Sequence, residues 1–251
     1  MKVDVVLPAG GRIGDGPAGT EVKALLPIGG VPLLTRTLLA LRATGRAGLI
    51  AVIGPPEVAP HAASLADVVL PESDSGAANI LRGMEWVQAA NSGAAARLLV
   101  LTTDLPFLTP EAIRGFLDAC PPDRDICVPV LERKELRARF PGHHGRFVPL
   151  RDGAWAIGCA FLVNPEAMTG NQHLIRRVFA ARRSQLGMAR LLGPGFTVRF
   201  LARRLTLPQI EAKCLTMLGC SGAAVRGCAP ELGFDIDYPA DYAYARGVLE
   251  G

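Results

Sequence analysis

The stretch Val3-Asp4-Val5-Val6-Leu7-Pro8-Ala9-Gly10-Gly11-Arg12 decides the fold. A short β-branched, apolar run ends in a proline and then a glycine pair. Such a run reads as a strand covered on both faces, the kind found in parallel sheets. Glycines directly after it let backbone N–H groups come close to an anion. The chain therefore opens as a buried parallel strand that runs into a phosphate-type loop, reaching to about Glu21.

The alternation continues outward from this strand. Leu33–Thr44 has helical spacing of leucines, with Pro32 as a first-turn proline and Gly45 as a stop. Leu49–Ile53 and Val68–Leu70 read as strands. Gly76–Asn91 reads as a helix with Ala77, Ile80, Leu81, Met84 and Val87 on one side. Leu98–Leu101 is a further buried strand, and Thr109-Pro110-Glu111 opens a helix with a capping threonine, a first-position proline and an acid in the first turn. Ile126–Val130 closes the series. Strands and helices that alternate in this way predict an α/β fold, Rossmann-like, with a mostly parallel sheet and helices on both faces. Ligands of such sheets bind at the carboxyl ends of the strands.

After residue 130 the pattern changes. Leu131–Phe147 is charged and irregular, and Val148–Leu150 and Trp155–Val163 are strand-like, joined through Arg151-Asp152-Gly153 as a hairpin. Residues 173–192 and 206–218 read as helical with a strand, Phe196–Leu201, between them, and Asp241–Leu249 as a final helix. No repeat or linker is visible, so residues 1–251 are expected to form one domain.

The chain has 251 residues, 49% of them hydrophobic and 20% charged, which excludes wholesale disorder. No apolar run is long enough to span a membrane, and the N-terminus lacks the features of a signal peptide, so a cytoplasmic protein without a membrane partner is expected. The six cysteines form no CxxC pair and are expected to be buried, reduced thiols. Charge is uneven: residues 131–213 hold 15 Lys/Arg against 5 Asp/Glu, within a chain whose net charge is +4. Aromatic side chains in that stretch are few and lie mostly in strand-like runs, which favours a small anionic ligand over nucleic acid. His143 and His144 read as solvent-exposed loop residues.

Gly14-Asp15-Gly16-Pro17-Ala18-Gly19 matches the letters G-x-G-x-x-G, but it lies too far beyond the strand end to be a dinucleotide fingerprint, and no ribose-binding acid follows at the required distance. A different phosphate loop fits. Leu7-Pro8-Ala9-Gly10-Gly11-Arg12, followed by Val22-Lys23-Ala24-Leu25-Leu26-Pro27-Ile28-Gly29-Gly30-Val31-Pro32-Leu33-Leu34, resembles the signature of the MobA-like nucleotidyltransferases, which have a GT-A-type fold. Val22 stands where the family has proline, and Arg12-Ile13-Gly14 follows the glycine pair two or three residues sooner than in the family. Two further segments fit in order. Thr102-Thr103-Asp104-Leu105-Pro106 resembles the family's metal aspartate, and Phe234-Asp235-Ile236-Asp237-Tyr238-Pro239-Ala240-Asp241 its closing motif, with Tyr238 in place of a threonine.

The resemblance implies transfer of a nucleoside monophosphate from an NTP to a small phosphorylated or anionic acceptor, with release of pyrophosphate. Asp104 with Asp235 or Asp237 would hold Mg²⁺ (or Mn²⁺), a hard cation that takes carboxylates and phosphate oxygens. Lys23, Arg12 and Asp104 would be catalytic. Pro8, Ala9, Gly10, Gly11, Arg12, Lys23, Gly76, Asn79 and Thr103 would contact the nucleotide. The Glu72–Asn79 segment lies against the base in the family, although an N-capping cluster explains it equally well. Arg139 and Arg146 would hold the acceptor, since a planar guanidinium suits phosphate. The alternatives are a GT-A-type glycosyltransferase, which consumes a sugar nucleotide, and a non-catalytic nucleotide-binding protein.

Overall fold

A computed structural model describes residues 2–14, 21–91, 97–181 and 184–251, apart from the side chains of residues 179, 180, 185 and 215. Strand β1 (Val3–Pro8) is followed by two small ribbons, β2 (Arg12–Ile13) paired with β3 (Glu21–Val22), and β4 (Pro27–Ile28) paired with β5 (Val31–Pro32). Then come α1 (Leu33–Ala43), β6 (Ala47–Gly54), the short α2 (Ala59–Ala62), β7 (Val68–Pro71), α3 (Gly76–Ala90), β8 (Leu98–Leu101), α4 (Pro110–Ala119) and β9 (Ile126–Glu132). The second half adds α5 (Arg133–Arg139), β10 (Val148–Leu150), β11 (Gly153–Ile157), β12 (Ala160–Val163), α6 (Pro165–Gly170), α7 (Gln172–Ala181), α8 (Gln185–Leu192), α9 (Pro194–Leu201), α10 (Leu207–Leu218), β13 (Gly222–Val225) and α11 (Pro239–Glu250).

The main sheet has the order β10-β11-β9-β12-β8-β1-β6-β7, with β13 also on β9. β8, β1, β6 and β7 run parallel, whereas β12 lies antiparallel between β8 and β9. The sheet is thus mixed and mostly parallel, as the alternation predicted. β1 is covered on both faces, which explains its apolar run. Val5 and Leu7 join Leu34, Leu38, Ile113 and Phe116 of α1 and α4 on one side. Val6 turns to the other side and joins Ile53, Met84, Val87 and Val100 beneath α3. The helix signals act as expected: the Thr109 hydroxyl accepts the Ala112 N–H at 3.1 Å to cap α4, and the Ser75 hydroxyl caps α3 through Ala78 at 3.2 Å.

Three expectations are corrected. Phe196–Leu201 is helical, not a strand: Phe196 and Phe200, four apart, pack together against the Val130–Leu150–Leu205 cluster, while Val198 and Leu201 face out. A short apolar run does not reveal its period, and Pro194 at the helix start favoured helix. Within the stretch read as irregular, Arg133–Arg139 forms α5, which buries Leu136 and positions Phe140 one turn on. Trp155–Val163 is not one strand but two, β11 and β12, which lie successively along β9 and are separated at Gly158-Cys159. The Arg151-Asp152-Gly153 turn does close a hairpin, with Leu150 opposite Gly153. The G-x-G-x-x-G letters lie, beyond Gly14, outside the described residues.

Helix α3 sits close on the sheet because Gly83 has no side chain. A Cβ there would lie 2.6 Å from Val6 Cγ1 and 2.7 Å from Ile53 Cδ1, both in the core. Gly83→Ala is therefore expected to destabilise the protein by about 1–2 kcal/mol despite alanine's better helix propensity. Urea unfolding of the two proteins checks this.

Candidate active site

Asp104, Asp235 and Asp237 meet at the carboxyl end of the parallel strands. One carboxylate oxygen from each lies within 4.8 Å of the other two. Asp104 comes directly from the loop after β8. The other two come from far along the chain, and the break between β11 and β12 brings them in. At the break, Gly158 N–H donates to Pro129 O and Cys159 N–H donates to Leu232 O, each at 2.8 Å. A Cβ on Gly158 would lie 2.8 Å from that same Leu232 oxygen, so only glycine permits this approach. From Leu232 the chain passes along the strand ends, and Ile236 N–H donates to Asp104 O at 3.0 Å.

Alternation then sorts the side chains. Phe234 and Ile236 are fully buried, with Phe234 edge-on to Phe107 and Phe140 at ring-centroid distances of 5.0 and 5.2 Å. Asp235 and Asp237 point the opposite way, as period two requires. Asp241 begins α11 and stays out of the triad. Its carboxylate accepts the Tyr238 N–H at 2.8 Å and the Asp237 N–H at 3.2 Å, which fixes the turn that carries Asp237.

Lys23 provides the cation. Its Nζ lies 3.2 Å from Asp104 Oδ2 and 3.0 Å from Asp237 Oδ1. Burial by itself would lower its pKa, but the charges and hydrogen bonds of Asp104 and Asp237 outweigh this and raise it. Asp235 lacks such a partner. Burial first, then the charges of Asp104 and Asp237, push its carboxyl up to about 7. Asp104 Oδ1 is buried and has no hydrogen-bond partner among the described residues. Three hard oxygen donors, one of them an unsatisfied buried oxygen, fit a divalent cation such as Mg²⁺.

The glycine loop borders this cluster. Lys23 N–H donates to Gly11 O at 2.8 Å, and the lysine stem runs 3.6 Å from where a Gly11 Cβ would lie. Pro8 and Ala9 continue from β1, and the Thr103 hydroxyl is 3.5 Å from Pro8 O. Arg12 donates to Gly10 O at 2.9 Å and to Glu72 Oε1 at 2.8 Å. The Glu72 carboxylate lies against Gly10 so closely that a Cβ there would overlap it. Glu72 figures in the sequence only as the first residue of the Glu72–Asn79 segment, with no role of its own. Its place directly after β7, at a strand's carboxyl end, is a local signal for a site residue.

Other sequence candidates lie elsewhere or do other work. Asn79 is buried, and its Oδ1 accepts from Ser73 N–H at 2.6 Å and from the Ser73 hydroxyl at 2.9 Å, so this oxygen holds the 72–79 loop. Gly76, at the start of α3, faces open space. Arg139 pairs with Glu231 at 3.0 Å and stacks on Phe140, and Arg146 is exposed. His144 is exposed as expected, whereas His143 is buried against Phe147 and Phe234, with its pKa lowered by burial. Apolar packing from Phe234, on the distant C-terminal segment, explains this difference. The cysteines are free, with Cys159 and Cys214 half-buried and the other four buried.

The MobA-like NTP transferase domain family model matches residues 6–212. The chain belongs to this family. It is a nucleotidyltransferase whose family match ends before Asp235 and Asp237, so the fold, and not the matched segment, joins those acids to Asp104. A hypothetical transferase from Thermus thermophilus is similar to it, at 30% identity and a TM-score of 0.84, over 96% of this chain and all of that one. A 2-C-methyl-D-erythritol 4-phosphate cytidylyltransferase, also from Thermus thermophilus, shares the fold at 21% identity and a TM-score of 0.60, with 100% of both chains covered. A nucleotidyl transferase from Methanothermobacter thermautotrophicus does so at 18% identity and a TM-score of 0.57, over 99% of this chain and 98% of that one. A search of curated proteins gave no match. No helix among the described residues is long and apolar enough to cross a membrane.

The Asp235 shift has a consequence for stability. Its carboxyl holds a proton in the folded state at pH values where the unfolded chain, near 3.8, has lost it. Folded protein then binds more protons than unfolded, so this residue reduces stability as pH rises from about 4 to about 7. In the presence of a chelator, Asp235→Asn is expected to be more stable than wild type at pH 7, by up to about 4 kcal/mol, with the gap closing toward pH 4. Denaturant titrations at the two pH values measure this.

Proposed function

We propose that the protein transfers a nucleoside monophosphate from an NTP to a small phosphorylated or otherwise anionic acceptor. The convergence of three carboxylates and the Lys23 ammonium beside a glycine loop carries this reading. The acceptor's anionic oxygen attacks the α-phosphorus, and the bond to the pyrophosphate group breaks. An acceptor that is already an anion needs no general base.

Each group has a task in this reading. Backbone N–H groups of Gly10 and Gly11 would bind phosphate oxygens, because neither residue carries a side chain of its own. Arg12, paired with Glu72 at 2.8 Å, swings from a carboxylate to a phosphate when the nucleotide enters. Lys23 stabilises charge that develops on the α-phosphate. Asp104, Asp235 and Asp237 would hold Mg²⁺ or Mn²⁺, which would supply positive charge to offset that of the phosphates. Residues 1–130 take the nucleotide and residues 131–251 shape the acceptor side, as one domain. Arg146 stands available for an acceptor phosphate, whereas Arg139 would first have to leave Glu231.

Thermal unfolding with ATP, GTP, CTP and UTP, each with and without Mg²⁺, tests the reading and names the base. One NTP at about 100 times its Kd is expected to add about 2.7 kcal/mol of stability with Mg²⁺ present. Asp104→Asn is expected to abolish the Mg²⁺-dependent part. Lys23→Ala should lower the rate of pyrophosphate release, assayed with a panel of phosphorylated acceptors, by about 10²-fold. A shift with sugar nucleotides and with no NTP would replace this proposal with the glycosyltransferase reading.

A further inference from the structure

Helices α8 and α9 are joined at Gly193 and pack against each other, with the Thr197 hydroxyl 3.2 Å from Ala189 O. Their inner side is fixed by Phe196 and Phe200. Their outer side is unusual. Leu186, Val198 and Leu201 are 61%, 64% and 74% exposed. Leu186 shares its helix face with Arg190, four residues on, and Val198 shares its face with Leu201, three residues on. Arg199 on α9, Arg203 and Arg204 just after it, and Arg176 and Arg177 on α7 are also exposed. None of these six arginines is ion-paired among the described residues. Residues 165–206 contain eight arginines and one glutamate, with no other acid.

The end of α9 adds a second observation. Arg203 N–H donates to Phe200 O and Arg204 N–H donates to Arg199 O, each at 2.9 Å, which is a Schellman closure. Its left-handed position belongs by preference to glycine, yet here it holds Arg203 at φ 54°, the only non-glycine with positive φ among the described residues. An arginine kept where glycine fits better indicates use of its side chain.

We propose that the α8–α9 pair is a docking surface for an anionic lipid bilayer, with Leu186, Val198 and Leu201 entering the interface and the arginines meeting the headgroups. Exposed aliphatic side chains on helices that also carry unpaired, exposed arginines suit a surface that is negative and apolar at once. A second copy of this chain would bring arginine against arginine. Nucleic acid would leave the aliphatic tips unmatched, and the aromatic rings Phe196 and Phe200 are turned inward. Such association lies on the membrane and needs no spanning helix. Leu205, next after the arginines, accepts the Arg151 N–H at 2.8 Å at the tip of the β10–β11 hairpin. That tip extends past the carboxyl end of β9, so the residues that follow the arginines are tied to that end of the sheet.

Sedimentation of the full chain with phosphatidylcholine vesicles, with and without about one-third phosphatidylserine, tests this. Binding is expected only with phosphatidylserine and should weaken with salt. Each arginine removed should cost about fivefold, so Arg199→Ala, Arg203→Gly and Arg204→Ala together should cost about a hundredfold. Val198→Ser with Leu201→Ser should also release the protein. Arg203→Gly alone separates binding from folding: its Tm should equal or exceed that of wild type while binding falls. No phosphatidylserine-dependent binding, or binding unaltered in the triple variant, would overturn the proposal. So would dimerisation or nucleic-acid binding through the same residues in a protein that leaves vesicles alone.

Discussion

Three carboxylates gathered within 4.8 Å repel one another, and the rest of this structure is arranged to hold them there. Like charges in a half-buried place cannot all stay ionised without compensation. One ammonium, Lys23, offsets two of them, and the third, on Asp235, responds by holding its proton. The arrangement is a site with unmet demand for positive charge. That demand, more than any single residue, makes it suited to a divalent cation and a polyphosphate together.

Apolar packing provides the force that opposes the repulsion. Phe107, Phe140 and Phe234 form a cluster with Ile236 directly behind the acids, and all are buried. Each aspartate of the closing segment is flanked by a side chain that cannot leave the core without exposing a large apolar surface. The backbone adds direction through the Ile236 to Asp104 hydrogen bond and the Asp241 carboxylate at the head of α11. α5, which the residue pattern did not reveal, is part of this support, because it places Leu136 and Phe140 beneath the site.

Much of this was legible in the chain. β1 could be recognised because a strand buried on both faces must be apolar throughout, and α4 because a threonine and a proline at a helix start have local reasons to be there. The alternating Phe-Asp-Ile-Asp pattern puts Asp235 and Asp237 on one side of an extended segment but does not choose between them. The misread elements, Phe196–Leu201 and Arg133–Arg139, lie where a few apolar residues serve either period or where charged residues mask a narrow buried stripe. In both, the deciding partner is distant in the chain: the hairpin for α9, and Phe234 for Phe140, which directly follows α5.

By itself, the sequence determined the parallel first half and its glycine loop, because these depend on local periodicity, while Lys23, Asp104 and the closing acids came forward as candidates through the family resemblance of their segments. Only the tertiary structure decided that Asp235 and Asp237 both reach Asp104, that Glu72 holds Arg12, that Asn79 braces its own loop and that His143 is buried. Those outcomes rest on contacts between segments that, Asn79's own loop apart, lie tens to more than a hundred residues apart. Such contacts follow from how strands order themselves in the sheet, and no local preference encodes that order.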